Sequence, residues 1–575
     1  MRSAADNRSL MTGLLRARCE GRLEAERKNR LSWWSHWGEL AEYFLPRRYN
    51  WLVTPNKADR GSPINGRIID ESGTLAWRAL ASGLMQGITS PGRPWYELTI
   101  DNADLADRWD VKIWLQSVTK RMQAVMAGSN YYTAKATQFG DLSMFGTAPL
   151  IIEEDFDEVI NCTTPCAGEY FVINDHRKRV GGLYREMVMT VDQMCERFGD
   201  AVPQRIRLLR KGSAGGATEY IVAHAIEAND DELGEMKGFV VPAKFPFRSL
   251  YWLRTGGRDD GFLECSGYHE WPAPTPRWDQ ASNDAYGRSP AMDALGSQKQ
   301  LWMLNIRLAQ AIDKMVNPPL LADMILKDQK TSSLPGGITY VAGLAATPGM
   351  KSVYDVRLDI PAMKELIADV RGRIDQVFFK DLFLMISQLD TVRSATEIDA
   401  RREEKLIQIG PMYERFQNES LDPDIDRIFA IMNRKKLFPP APKAIHGMPL
   451  TVKYISVLAQ QLRAAQTAAI ERLLQFLGNL AALNPDILDT VDMDQTVQIY
   501  ADMLGVPAQL VRDAPTIAKL RAAKAKQAQQ AQMERMTPQM VAGAKVLSQT
   551  DLGGGQNALA AIMGANQSPG MQAAA

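Results

Sequence analysis

The chain has no apolar run approaching the roughly 18 residues that a membrane-spanning helix needs. Cysteine is scarce, with Cys19, Cys162, Cys166, Cys195 and Cys265 the only five in 575 residues. An odd number at scattered spacing argues against a disulfide framework and for reduced thiols. The one close pair, Cys162-Thr-Thr-Pro-Cys166, has a spacer that fits neither a redox Cys-x-x-Cys nor half of a four-cysteine zinc site. Excess charge of either sign is also missing. The 67 Lys and Arg offset the 67 Asp and Glu, which excludes an indiscriminately basic nucleic-acid binder and an acidic disordered tail. Met1 to Arg30 is dense in Arg and Glu and lacks an apolar stretch ending in a cleavage site, so it does not read as a secretory signal and a cytosolic product is expected.

Catalytic fingerprints are missing too. No Gly-Lys dipeptide occurs, so the phosphate-cradling loop that ends in Gly-Lys-Ser/Thr is absent. There is no Gly-x-Ser-x-Gly elbow and no His-Glu-x-x-His. His269-Glu270 runs into Trp271-Pro272, which stops a helix. His36, His176, His224, His269 and His446 lie far apart and read as packing or surface residues. The acidic run Glu153, Glu154, Asp155, Asp157 and Glu158 offers hard oxygen ligands that could take a divalent cation. It follows Leu150-Ile151-Ile152, however, and fits a strand entering a solvated turn better. No enzyme, metal or cofactor is expected. The runner-up functional class, a metal-dependent packaging or processing nuclease, rests on those acidic residues alone, and loss of any cleavage in Glu154→Gln is its test.

What is present is an ordinary globular composition, 45% hydrophobic and 23% charged, in a 64.0 kDa chain of mean hydropathy -0.24. At roughly 150 residues per domain this is about four domain-sized units. Leu14 to Leu45 reads as a helix with Trp34, Trp37, Ala41 and Phe44 on one face, ended by Pro46. That face could stack bases, but its helical spacing fits a core. A helix is expected over Asp70 to Gln86, a turn at Ser90 to Pro94, an extended Trp95 to Ile100, and a helix over Trp109 to Ala127. Thr147 to Trp271 reads as antiparallel β, with runs at Ala148–Ile152, Tyr170–Ile173, Tyr220–Ile226 and Ser249–Arg254 and one helix near Val191 to Phe198.

Leu301, Leu304, Leu308, Ala311 and Met315 step by three and four, as a helix packing along one seam does. Met363, Ile367, Val370, Ile374 and Val377 repeat the pattern, with Pro361 at the entrance. The insert between them holds Pro335-Gly-Gly337 and Ile338-Thr-Tyr-Val341, a turn and a strand. A helical stalk with a small mixed tip is the result. Ala395 to Lys436 is helical with bends at Pro411 and Pro423. Leu450 to Val457 is a strand, and Leu458 to Leu483 and Asp494 to Leu504 are helical. From about Arg521 the chain is mainly Ala, Gln, Gly and Met, with helix-forming composition over Ile517 to Met536 and a disordered end expected from Gly553. The fold class is mainly helical α+β.

The chain resembles the portal proteins, or head-to-tail connectors, of short-tailed bacteriophages. The segments that carry this are Ala81-Ser-Gly-Leu-Met-Gln-Gly-Ile-Thr-Ser-Pro-Gly-Arg-Pro-Trp95, Tyr286-Gly-Arg-Ser-Pro290, Asn317-Pro-Pro319 and Pro335-Gly-Gly-Ile-Thr-Tyr340. Phe378-Phe-Lys-Asp-Leu-Phe383, Ala395-Thr-Glu-Ile398, Glu404-Lys-Leu406, Gly410-Pro411 and Val452-Lys-Tyr-Ile-Ser456 follow in order. The likeness runs from about residue 15 to about 520.

The resemblance implies a ring of twelve subunits at one capsid vertex, through which a separate ATP-driven terminase pumps DNA. It implies a wing over residues 1–290, stem helices at 291–316 and 361–386 around a clip at 317–360, and a channel loop at 387–394. Wing again follows at 395–457, then a crown at 458–520 and a tail at 521–575. Implied partners are copies of the chain, the terminase large subunit, a tail adaptor or head-completion protein, capsid and scaffolding proteins, and double-stranded DNA without sequence preference, with no membrane. The location is the virion vertex, after a host-cytoplasm stage during assembly. A virion adaptor that binds such a ring without forming the vertex is the other alternative. Candidate DNA contacts are Arg393, Gln388, Arg373 and Lys380. Stem charges for neighbouring subunits or the channel are Lys299, Arg307, Lys314, Lys364, Arg371, Asp369 and Asp375, and candidate clip contacts for partners are Asp323, Lys327, Asp328, Lys330 and Tyr340. Zero net charge suits a channel, because each ion-paired phosphate would act as a brake.

Overall fold

The computed structural model describes residues 4–45, 68–106, 108–212, 215–229, 240–254, 261–316, 359–387 and 409–456. It also describes short pieces at 232–233, 236–237, 320–322, 350–352, 473–478, 495–496, 517, 519–527 and 545. The chain divides into two compact units, residues 1–462 and 463–575. In the second unit, residues 473–478 and 519–527 are helical. Most of the expected crown, and the end beyond Gly553, lie outside the described residues.

The single helix expected over Leu14 to Leu45 is two, α1 (Ala4–Asn29) and α2 (Leu31–Phe44). Arg30 sits at the break. Its guanidinium is 3.8 Å from the centre of the Phe171 ring and 4.8 Å from that of Trp34, and it donates to the carbonyl of Tyr170. Burial holds its pKa below the ordinary arginine value. The Trp face is core. Trp37 is fully buried and meets Tyr286 and Phe145 edge-on at 5.1 and 6.3 Å, with Ala41 and Phe44 buried beside it.

Helix α3 (Ser72–Ile88), strand β1 (Tyr96–Thr99) and helix α4 (Trp109–Gly128) stand where the periodicity puts them. Helix α5 (Tyr131–Phe145) was not legible. It runs through the main core with 11 of its residues buried, Lys135, Gln138 and Asp141 among them, and ends on Gly146 at φ 76°.

The β region is antiparallel. Strands β2 (Ile151–Glu154) and β3 (Ile160–Thr163) form a hairpin. Strands β4 (Tyr170–Asn174), β5 (Val180–Thr190), β6 (Glu219–Ala228), β7 (Phe247–Leu253) and β8 (Glu264–Tyr268) form a five-stranded sheet in the order β8-β7-β6-β5-β4. Alternate residues face opposite sides of a strand, and the two sides are filled by different helices. Ala223, Ala225, Leu250 and Trp252 pack under Met11, Leu15, Cys19 and Leu23 of α1. Val222, Tyr251 and Leu253 pack with Val191, Met194 and Phe198 of α6 (Val191–Phe198). A capping box at Thr190 and Gln193 starts α6 where the sequence places it.

Helix α7 (Pro290–Val316) leaves the main core, and α8 (Ile360–Val377) returns to it. The expected second stem helix is broken: α8 ends at Val377, Phe379 takes φ 51°, and α9 (Lys380–Ser387) begins afresh. A left-handed non-glycine residue cannot sit inside a right-handed helix, and Phe378 and Phe383 are buried on either side of it. Between α7 and α8, β9 (Leu320–Ala322) pairs with β10 (Met350–Ser352). The Ile338 to Val341 strand lies outside the described residues.

Residues 409–416 are helical, and the next turn, Gln417–Leu421, is a π-helix that leads into α10 (Asp422–Arg434). The interruption expected at Pro423 coincides with this π turn, with Pro423 in the first turn of α10. Proline removes a donor and crowds the carbonyl four residues back, and in the turn just before it the backbone pairs to the fifth residue, Asp422 N to Gln417 O. Strand β11 (Thr451–Tyr454) pairs with β1, so Tyr96 stands opposite Tyr454. The fold is the mainly helical α+β arrangement that the sequence pattern predicts.

Candidate functional site

Helices α7 and α8 pack against each other as a hairpin. Ser289 begins α7: its hydroxyl accepts from Met292 N at 3.3 Å while donating to Met144 O at 2.7 Å. Asp359 begins α8, accepting from Ala362 N at 3.1 Å, and Pro361 occupies the first turn. The helices are antiparallel. Asn305 and Arg371 both reach Asp70, at 3.4 and 2.5 Å, and the earlier Gln300 meets the later Arg373 at 3.5 Å. The seam closes at its base, where Leu301, Ile367, Val370 and Ile374 are buried. It loosens outward: Leu304, Leu308 and Ala311 are half-buried and Met315 is 45% exposed.

The profile of the bacteriophage head to tail connecting protein family matches residues 16–511. The chain belongs to that family. A probable portal protein of Bordetella phage BPP-1 is 38% identical over 546 residues, which span 94% of this chain and 96% of the relative. The portal protein of Salmonella phage epsilon15 is 37% identical over 550 residues, 95% of this chain and 97% of the relative. A chain of the virion of a native gene transfer agent (GTA) particle aligns with 74% of this chain and 93% of its own length, at 12% identity and a TM-score of 0.29, too loose a likeness to bear on the fold. The resemblance drawn from the quoted segments is borne out over nearly the span it covers.

In this connector most of the stem charges singled out from the sequence are paired within the subunit. Lys299 pairs with Glu39 of α2. Arg371 clasps Asp70 through Nη2 at 2.5 Å and Nε at 3.1 Å. Burial opposes ionisation of Asp70, but hydrogen bonds from Ser72 and Arg371 outweigh it and hold the carboxyl below the usual range. Lys380 bonds both oxygens of Asp375 at 2.9 and 3.0 Å, bridging the break between α8 and α9. Arg373 stands 3.4 Å from Asp369 one turn away. Arg307, Lys314 and Lys364 are exposed and have no ion-pair partner among the described residues. Arg393, Gln388, Asp323, Lys327, Asp328, Lys330 and Tyr340 lie outside the described residues, as does the channel loop from residue 388 on.

Asp70 and Glu39 anchor the stem, and neither was legible. Asp70 lies 301 residues from Arg371, and only its place ahead of a helix start hints at a role.

The acidic run forms the β2–β3 hairpin, as a strand entering a turn. Asp155 Oδ1 accepts from Asp157 N at 2.7 Å and Glu158 N at 2.9 Å, and those bonds lower its pKa. Glu154 receives Arg434 at 2.5 Å. Glu153 and Glu154 line a cleft of about 450 Å³ together with Arg197, Arg427 and Arg434, so cations already face these carboxylates. Among the described residues no group of His, Cys, Asp and Glu is placed to hold a metal ion, and none of the five cysteines forms a disulfide. His224 is a core residue: its ring stacks on Tyr251 at 3.8 Å, Nδ1 accepts from Arg185 at 3.0 Å, and Nε2 faces Ser249 Oγ at 2.9 Å.

Proposed function

We propose that the protein is a portal subunit, which closes with about eleven copies of itself into a ring at one capsid vertex and forms the channel through which viral DNA is packaged and later ejected. The observation that carries this is the pair of portal-named phage relatives, each aligned over more than nine-tenths of the chain. The stalk of two helices with a small β tip supports it. In this reading residues 1–290 and 395–457 are the wing, 291–316 and 361–386 the stem, 317–360 the clip and 458–520 the crown. The clip meets the terminase large subunit first and a tail adaptor or head-completion protein later, while the wing meets capsid and scaffolding proteins. Double-stranded DNA passes without sequence preference, past the loop at 387–394 that carries Arg393 and Gln388. Net neutrality fits this conduit, since a channel that grips phosphates would slow transport. The particle is then a virion component assembled in the host cytoplasm.

Native mass measured across a range of salt, with imaging of the main peak, tests the proposal. Twelve copies of 64.0 kDa give about 770 kDa and a central hole. A chain that stays monomeric at every concentration and salt sinks it.

A further inference from the structure

Strands β2 and β8 both turn backbone groups outward beside one cleft. Between β6 and β7, Asn229 N reaches Pro246 O at 2.8 Å and Arg254 N reaches Ile221 O at 3.0 Å. The even-numbered residues of β7 therefore bond to β6 and the odd-numbered ones to β8, and Tyr251 O accordingly accepts from Leu263 N at 2.7 Å. Phe247, Ser249 and Tyr251 stand opposite Tyr268, Ser266 and Glu264, so Gly267, between two of these, turns its N–H and C=O away from the sheet. No described residue bonds to either group of Gly267. On β2, Asp155 N bonds to Val159 O at 3.0 Å across the hairpin, while Ile152 N bonds to Pro272 O at 2.9 Å on the other side. Glu154, two residues after Ile152, points its backbone groups to that same side. The cleft of about 450 Å³ is lined there by Glu153 and Glu154 of β2 and by Glu264, Ser266, Gly267 and Tyr268 of β8, a size within the roughly 300–1,000 Å³ of ordinary ligand sites.

The opposite edge of the five-stranded sheet is closed. Glu186 N bonds to Glu169 O at 2.8 Å, which turns Tyr170 and Val172 of β4 outward. Val172 N donates to the Tyr286 hydroxyl at 3.2 Å, and Tyr170 O accepts from Arg30. An open strand edge invites pairing, and proteins ordinarily blunt it. β4 is blunted by these side chains, whereas at Gly267 of β8 no described residue does the same.

The cleft also holds donors in excess. Arg434 gives its nitrogens to Glu154 and Glu270. Arg427 gives Nη1 to Glu270 at 2.7 Å and Nε to Ile152 O at 3.4 Å, but its buried Nη2 donates to nothing among the described residues. Arg197 bonds to the Tyr251 hydroxyl at 2.8 Å and stands 3.7 and 4.0 Å from Glu153 and Glu264, too far for hydrogen bonds. Glu153 is already served by the Tyr268 hydroxyl at 3.2 Å, and Glu264 is 39% exposed to water.

We infer that this cleft docks an extended segment of a partner protein, which lies along β8 as a sixth strand, bonds to Gly267, and brings an Asp or Glu side chain to Arg427 and Arg197. Adding a strand at a sheet edge draws affinity from main-chain bonds and specificity from alternate side chains. Every second side chain of the added strand looks the way Glu264 and Tyr268 do, and those two face Arg197 at 4.0 Å and Arg427 at 5.1 Å from the ring centre. The site lies apart from the stem and clip, and the inference does not depend on the portal reading.

The test pans a library of random peptides on the full chain and titrates the enriched sequences. These peptides are expected to carry Asp or Glu and to slow exchange of the Gly267 amide, read by mass spectrometry at single-residue resolution. Arg197→Gln, a change at a partly exposed side chain that leaves the Arg427–Glu270 contact in place, should weaken them at least about tenfold, the scale of one charged hydrogen bond. Methylating alternate amide nitrogens of a peptide isolates strand addition: one set should abolish binding and the complementary set should preserve it, since only every second residue of an added strand bonds to β8. Absence of enrichment, an unchanged Gly267 amide, equal affinity for Arg197→Gln, or equal tolerance of both methylated sets overturns the inference. So does slow exchange at Gly267 before any peptide is added, because a neighbouring copy would then already cover the edge.

Discussion

Lys135 of α5 and Asp424 of α10 form an ion pair in which neither side chain reaches solvent. Ser420, in the π turn, accepts from the same ammonium at 2.8 Å, and the Tyr131 hydroxyl donates to Asp424 Oδ2 at 3.1 Å. Burial pushes the Asp424 carboxyl up and the Lys135 ammonium down, so these contacts hold the pair against its desolvation. Among the described residues Asp424 Oδ1 has no hydrogen-bond partner.

Removing one partner leaves a buried charge without its counter-ion. Lys135→Met and Asp424→Asn are each expected to destabilise the subunit, Lys135→Met by about 3–5 kcal/mol and Asp424→Asn by somewhat less because the amide keeps one acceptor. The double variant Lys135→Met/Asp424→Leu should regain most of the loss. Denaturant midpoints measure all three, and equal stability of Lys135→Met and wild type would show that the pair contributes nothing.

Acid should unfold the sheet in two stages. Burial, aided by the nearby Arg185 and Arg197, holds His224 well below its ordinary value of 6.5. The unfolded chain therefore takes up a proton that the folded chain refuses, and stability falls as pH drops below about 6.5, with a slope of up to about 1.4 kcal/mol per unit. Glu227 is also depressed: burial raises it, but Arg248, Tyr184 and Arg22 outweigh burial. Its contribution is complete above about 4.5, the ordinary value, and is lost as pH falls further. His224→Gln should flatten the first slope and leave the second, which stability curves at pH 7, 5.5 and 4 can resolve.

Gly83 of α3 makes room for α9. A Cβ on Gly83 would overlap the Phe383 ring. Gly83→Ala is expected to destabilise by about 1–3 kcal/mol, although alanine is the better helix former. Phe383→Leu in that background should recover part of the loss. A double-mutant cycle with no coupling between the two positions would contradict this contact.

If the clip is a docking element and not part of the ring contact, deleting residues 320–358 should leave ring assembly intact and abolish binding of the terminase large subunit. Native mass and a pull-down on the same preparation measure both outcomes. Retained terminase binding would move the docking site elsewhere.

Much of this architecture was legible because it is periodic. Trp37, Ala41 and Phe44 return at helical spacing and are core, and the 301 to 315 and 363 to 377 seams are the hairpin. Helix α5 escaped because burial on nearly every side erases the polar face that makes a helix readable. Strand β5 escaped because Gly181-Gly182, Arg185 and Glu186 interrupt its alternation. The stem charges could be found in the sequence but not their partners. Asp70 and Glu39 lie hundreds of positions away from the residues they hold, and no local pattern records a pairing made by the fold.

The π turn makes chain length itself a specified quantity at Gln417–Leu421. It turns Glu419 to Arg277 at 3.1 Å while Ser420 and Asp424 face Lys135. Taking out one residue would let the helix close as an ordinary α-helix and rotate Asp422–Arg434 by about 100° relative to the residues before it. Asp424 would then leave Lys135, and Arg427 and Arg434 would leave Glu270, which they now hold at 2.7 and 2.5 Å. The segment accepts a change of letter far more readily than a change of phase.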